Sequence, residues 1–405
     1  MDTIMPAAGP RAALDVSALA SLIPLLKDRG YEVVGPTVRD GAITCDVVEK
    51  IEDLPAGWGD EQSSGRYRLK KRKDSALFGY NVGPQGWKRY LHPPEIQMFD
   101  GSREGDEFKI VRNPPAAVKR AFLGVRACEL AAIERLDRVF LGDRYVSPGY
   151  RVRRENVLII AVNCTQAAAT CFCTSMGTGP RAQAGFDVAL TELAGPKRSL
   201  FVAEAGSEAG AELLAQLQQR GATAEESAAA DAAVAGTARQ IRRKLDTEGL
   251  KELLQESLDH PRWDHVAARC LSCANCTLVC PTCFCSTVED ITEVSGHDAE
   301  RWRKWDSCFT DSFSYIHGGS VRLSVKSRYR QWLTHKLSYW VDQFGKFGCV
   351  GCGALHYVVP GTNRHHGGGR RDPRDRTGEQ WVGRASAWRP KHWWTCFGST
   401  RSWKG

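Results

Sequence analysis

The chain has 405 residues, 42% of them hydrophobic and 25% charged, with 15 cysteines and a formal net charge of +8. That length allows two or three domains with sizeable cores. No basic leader with a long apolar run and no stretch long enough to span a bilayer can be picked out, so neither a secretory signal nor a membrane span is expected. Cysteines clustered in short-spaced groups argue for metal ligation in a reducing compartment rather than for disulfides, and the expected location is cytoplasmic.

In chain order, Leu14 to Arg29 reads as an amphipathic helix stopped by Gly30. Tyr31 to Val38 reads as strands around a turn at Gly35-Pro36. The polar, basic stretch from Gly57 to Arg72 reads as a solvated hairpin rather than an anion site. From Glu107 to Gly195 the pattern turns α/β. Ala121–Val125 is a short buried strand, Cys128–Val139 a helix, and Asn156–Val162 an apolar strand of a parallel or mixed sheet. Phe186–Thr191 and Leu200–Ala203 read as edges of that sheet. Residues Gly206 to Leu258 are rich in Ala, Glu, Gln and Leu and read as a largely helical connector. The expected division is an α/β domain over 1–205, the connector over 206–258 and a cysteine-rich domain over 259–353.

Cys270, Cys273, Cys276 and Cys280 are spaced C-x2-C-x2-C-x3-C and followed by Pro281. Bacterial-type ferredoxins hold cubane [4Fe–4S] clusters with this run, and the Cys before Pro reaches a neighbouring cluster. Zinc needs two pairs of ligands and leaves the third Cys and the Cys-Pro unexplained. A partner run begins at Cys349-Val350-Gly351-Cys352-Gly353, but no further Cys follows until Cys396. Compact two-cluster ferredoxins place their runs much closer together. A long spacer with helical stretches such as Ser327–Gln343 instead suits an α-helical dicluster ferredoxin domain. In the crossover pattern, Cys270, Cys273 and Cys276 serve one cubane, and Cys280, Cys349 and Cys352 the other, each one ligand short.

The sequence offers a reason for the shortfall. Back-translated one base out of register, Ala354 to Pro360 permits Arg-Cys-Ile-Thr-Trp-Cys-Pro, which after Gly353 completes a second C-x2-C-x2-C-x3-C-P. A one-base frameshift near Gly353–Ala354 is therefore inferred, leaving residues 354–405 as an out-of-frame, poorly folded tail. This tail holds ten Lys/Arg against three Asp/Glu and five of the twelve Trp, so the preceding residues are nearly neutral. Out-of-frame translation of a GC-rich gene yields Arg, Gly, Trp and Pro without selection, and no nucleic-acid partner follows from the basicity.

A third set comprises Cys128, Cys164, Cys171 and Cys173. Cys128 follows one strand and Cys164 another, so all four can meet at one sheet edge, where open α/β folds place ligands. Either they hold another [4Fe–4S] cluster or some are buried small thiols. Cys283, Cys285 and Cys308 are ligands or thiols packed near a cluster, while Cys45 and Cys396 read as unligated. His265 and His317 read as ordinary polar residues. No Ser/His/Asp arrangement, Gly-x-Gly-x-x-Gly or P-loop appears. Electron transfer, with substrate chemistry left to a partner, is the reading that results. A flavin-containing reductase and a structural metal-binding adaptor are the competing ones.

The words Arg269 to Cys285, Tyr339-Trp340-Val341-Asp342-Gln343-Phe344-Gly345, Gly124-Val125-Arg126-Ala127-Cys128 and Asn163-Cys164 carry a resemblance. Across most of residues 50–353 the chain resembles the iron–sulfur β subunits of cytoplasmic hydrogenase/sulfur reductase (sulfhydrogenase) complexes. It is also similar to the A subunit of anaerobic sulfite reductase. The resemblance implies a subunit that passes electrons between a flavin-bearing diaphorase subunit and a catalytic hydrogenase or reductase subunit. The departure from the family pattern falls at Ala354.

Overall fold

The computed structural model describes residues 10–112, 116–142, 144–195 and 199–358. Its centre is an eight-stranded mixed sheet. The strands are β1 (Ala12–Asp15), β2 (Glu32–Arg39), β3 (Ala42–Val47), β8 (Arg120–Val125), β9 (Val157–Val162), β10 (Val188–Ala194), β11 (Ser199–Ala205) and β12 (Arg220–Gly221). Their spatial order is β12-β1-β11-β10-β9-β8-β2-β3. The middle of the sheet, β2 through β8 and β9 to β10, is parallel. Near-continuous apolar runs such as Val157–Val162 fit that position, because a parallel strand is covered on both faces.

Helix α1 (Val16–Asp28) packs Leu19, Leu22, Ile23 and Leu26 on one face, with Asp15 accepting the Ala18 N–H at its start. The opposite face is covered by α2 (Lys88–Leu91), α3 (Ala127–Phe140) and α4 (Pro148–Glu155), around Phe122, Ile133, Leu136 and Tyr150. The connector contributes α5 (Glu208–Ala215), α6 (Ala224–Gln240) and α7 (Leu250–Glu256).

A second antiparallel sheet, in the order β13-β14-β6-β7, lies beside the first. It joins the hairpin β6 (Glu95–Glu104) and β7 (Glu107–Arg112) to the hairpin β13 (Ser286–Thr292) and β14 (Asp298–Trp305). Strands β4 (Trp58–Ser63) and β5 (Arg66–Lys71) form the expected hairpin. Tyr315–Ile316 and Gly319–Ser320 form a further two-stranded pair. The remaining helices are α8 (Arg262–Ala267), α9 (Asn275–Val279), α10 (Val325–Thr334), α11 (Trp340–Phe344) and α12 (Ala354–Val358). Between α10 and α11 the helix widens into a π segment, His335–Tyr339.

Three expectations need correction. The region 259–353 is not simply helical, since β13 and β14 occupy the first half of the spacer; only residues 325–344 run as continuous helix. Val288 and Ile291 lie three residues apart and stay exposed, so β13 shows no period of two in its apolar residues. Tyr31–Val38 is one strand, not two around a turn. Pro36 lies beyond the β2–β8 ladder, which ends at Val34, so its missing N–H leaves no partner wanting on that side. Ala354–Val358, expected in the poorly folded tail, forms a short helix with Ala354 to Tyr357 buried; residues 359–405 lie outside the described residues.

His92 marks the junction of the two sheets. Its ring is buried between Phe140, at 4.9 Å, and Trp305, at 5.9 Å, and its carbonyl accepts the Trp305 indole N–H at 3.0 Å. Burial, then Arg303, Lys88 and Arg153, hold the imidazole down at about 3, and burial holds His335 at about 4. An unfolded histidine protonates near 6.5, so the unfolded chain binds more protons between those limits. Stability is therefore complete above about 6.5 and falls as pH drops through that window, by up to ~1.4 kcal/mol per unit for each histidine. Urea midpoints measured from pH 7 to pH 5 should decline, and His92→Gln should flatten the decline. Parallel profiles for the two chains contradict this origin.

Candidate iron–sulfur centre

The first cysteine run is shaped by two residues in the left-handed region, Ser272 (φ 50°) and Ala274 (φ 63°). They curl the chain so that the Ser272 N–H points to Cys270 Sγ at 3.4 Å. Helix α9 then carries Cys276 and ends at Cys280. Cys273 is exposed, Cys270 and Cys276 are partly buried, and Cys280 is buried. Burial first, then the neighbouring thiols Cys270, Cys273 and Cys280, push the Cys276 thiol up, which places these sulfurs in one electrostatic neighbourhood.

Lys88, at the start of α2, fastens this loop to the α/β region. Its ammonium donates to the carbonyls of Leu278 (2.8 Å), Cys283 (3.3 Å) and Thr277 (3.4 Å), and lies 3.9 Å from the centre of the Trp305 ring. A cation at the open carbonyls of a short helix completes their hydrogen bonding and favours the dipole.

The second run is buried. Cys280, Cys349 and Cys352 line one small cavity with Leu355, under Phe172 and His356. Three thiols from runs 69 residues apart thus line the same cavity. Cys352 is pushed up by burial and then by Cys280, while the Ala354 N–H works the other way. Helix α12, which presents Leu355, is tied to the β4–β5 hairpin. The Gly65 N–H donates to His356 O at 2.8 Å, Tyr67 and Tyr357 lie 5.5 Å apart, and the Tyr357 hydroxyl donates to Val82 O at 3.0 Å.

The third set converges as well. Fully buried Arg126 donates to the carbonyls of Phe78 (2.7 Å) and Tyr80 (2.9 Å), and Glu129 accepts its N–H at 2.9 Å. This fixes the start of α3, where Cys128 sits. Asn163, after β9, donates to Thr191 Oγ1 at 2.9 Å and accepts the Ala182 N–H at 2.8 Å, anchoring the chain just before Cys164. Cys128 is raised by burial and then by Cys352 and Cys173, and Cys171 by burial and then Cys164. The four thiols therefore share a neighbourhood beyond the carboxyl ends of β8 and β9, and Cys352 borders it.

Glycine makes that border possible. Gly351 (φ +65°) lies so close to the Phe172–Cys173 backbone that a Cβ would meet Cys173 Cα at 2.7 Å. The Phe172 N–H donates to Gly351 O at 2.9 Å and the Thr178 hydroxyl to Val350 O at 2.6 Å. Two cysteine loops thus pack backbone against backbone.

The remaining cysteines divide. Cys283 neighbours Cys280 and Cys285 neighbours Cys308. Cys45 is buried under Tyr90, whose hydroxyl donates to Cys45 O at 3.2 Å, away from these sets. His265 and His317 are exposed, and Cys396 lies outside the described residues. Motif reading missed Lys336 and Thr282. Lys336 had a signal: it falls on the apolar stripe Trp332, Leu333, Leu337 and Trp340, where a charge needs an explanation.

The donor set fits iron–sulfur chemistry. Crowded, buried thiols deprotonate only when cations offset their charge, and amides aimed at sulfur favour the thiolate. Among the described residues no three His, Cys, Asp or Glu side chains close around a point as a single metal ion requires.

Comparisons with known proteins agree in kind. The 4Fe-4S dicluster domain family matches residues 269–361. Sulfhydrogenase 2 subunit beta of Pyrococcus furiosus is 32% identical over 286 residues, covering 69% of this chain and 82% of that subunit. No solved structure matches. At that identity and coverage this chain belongs to the sulfhydrogenase β-subunit family, iron–sulfur proteins with a 4Fe–4S dicluster domain.

Proposed function

We propose that the chain is an electron-relay subunit, carrying single electrons between a flavin/NAD(P)H diaphorase subunit and a catalytic hydrogenase or sulfur/sulfite reductase subunit in the cytoplasm. The cavity shared by Cys280, Cys349 and Cys352 carries this reading, because a cluster ligated from two separate runs requires their thiols to converge in the interior. Cys270, Cys273 and Cys276 hold one cubane, Cys280, Cys349 and Cys352 a second, and Cys128, Cys164, Cys171 and Cys173 a third. When bound, a cubane supplies a one-electron couple with little rearrangement, tuned by burial, sulfur hydrogen bonds and net charge. The protein supplies the order: the first set reaches the surface at Cys273, the second is buried, and the third lies against it through Gly351. An α/β unit over 1–205 and a cluster unit over 259–353, joined by residues 206–258, carry the relay.

The frameshift reading gains a structural argument. The second run, restored as C-x2-C-x2-C, places its third thiol at position 355, and Leu355 occupies that corner of the cavity. Residues 354–405 are thus read as the shifted frame, and the second cubane in this chain has three protein thiolates.

Iron and acid-labile sulfide, counted on anaerobically purified chain, test the assignment. Leu355→Cys should raise iron by up to about four per chain, or convert an incomplete cluster to a cubane visible by Mössbauer spectroscopy. Cys280→Ser should abolish that gain. An unchanged iron content and spectrum in Leu355→Cys removes the basis for the shared second site. For the third site, the double variant Cys171→Ser/Cys173→Ser should lose about four irons while the signals of the other clusters persist. Iron content equal to the parent's shows these thiols to be packing residues.

A further inference from the structure

We propose that Lys336 is the fixed counter-charge of the second cluster, a positioning residue that joins the two cysteine loops and holds that cluster's reduction potential up. This rests on the assignment of Cys280, Cys349 and Cys352 as its ligands.

Lys336 is only 4% exposed and sits in the π segment His335–Tyr339. Such widened turns recur at functional sites, because the extra residue redirects a side chain out of helical register. Its ammonium donates to Thr282 Oγ1 at 2.7 Å. The Thr282 hydroxyl donates in turn to Gly348 O at 2.6 Å and lies 3.2 Å from Cys280 Sγ. The Gly348 N–H donates to Lys336 O at 2.8 Å. One residue therefore grips the peptide before Cys349 through its main chain, and both loops through its side chain and Thr282.

The charge has no ordinary partner. Among the described residues no Asp or Glu lies within ion-pair distance of Lys336; the groups acting on it are Cys280, Cys283 and Cys349. A buried ammonium without compensating anions is strongly disfavoured. Thiolates that bind iron provide those anions. Adding an electron makes a cluster more negative, so a cation fixed beside it favours the reduced form, and the low dielectric of the interior preserves the effect. Cys276 feels Lys336 only as the last of its influences, and the first cluster should respond less.

The test is an EPR-monitored redox titration of the full-length chain and of the full-length Leu355→Cys variant, each with Lys336→Met and with Lys336→Arg. Methionine keeps the length and removes the charge. It should lower the reduced-to-oxidised ratio of the second cluster at fixed potential at least tenfold, about 59 mV for one electron. The first cluster should move less, and Lys336→Arg should recover most of the shift. Thr282→Val, which keeps the ammonium and removes the hydroxyl bridge, should produce a smaller change. A second-cluster potential unmoved by Lys336→Met overturns the role of Lys336 alone. Loss of the cluster with both Met and Arg marks a packing role and overturns it too. If neither parent shows a second-cluster signal, the ligand assignment fails, and this inference with it.

Discussion

The structure depends on bringing together thiols that repel one another once ionised. Cys280 and Cys349 are 69 residues apart, and closing that loop costs conformational entropy before any bond to iron forms. The protein meets the cost with contacts that need no metal. The Lys336–Thr282–Gly348 hydrogen bonds tie the second run to the first, and the Gly351–Phe172 backbone contact ties it to the third set. Lys88 fastens α9 to the α/β region. A cluster site built this way is prepared by the polypeptide, with cations already in place for the sulfur charge.

Burial grades the three sets. Cys273 faces solvent, whereas Cys280, Cys349 and Cys352 are each under 9% exposed. A buried cluster sits in a low dielectric, where one nearby cation outweighs many at the surface. On the proposed assignment, single residues such as Lys336 and Arg126 weigh more on the potentials of such a path than overall charge, which is near neutral before the tail.

Much of this was legible from spacing. The C-x2-C-x2-C-x3-C-P run identified the cluster chemistry, and the placement of Cys128 and Cys164 after strands pointed to a common sheet edge, because both arguments rest on local order. The hairpin Ser286–Trp305 was not legible as part of a sheet, since its partners Glu95–Glu104 lie some two hundred residues upstream and one face is solvated. The buried helix Ala354–Val358 was missed for a different reason. Its five residues are too few to show a period, and it is held by tertiary contacts to Gly65, Tyr67 and Val82. Lys336 was legible as a charge on an apolar stripe, but only the fold shows which thiols it faces.

The sheet shared by the two halves carries a further implication. Strand β14 pairs with β6 over Asp298–Lys304 and Glu95–Ser102, so the cysteine-rich segment borrows its flank from the region upstream. Cut away at residue 259, that segment exposes an unpaired strand edge and the apolar side of Trp305, surfaces that invite aggregation. A cysteine-rich segment that lacks β6 therefore lacks the partner strand of its own sheet.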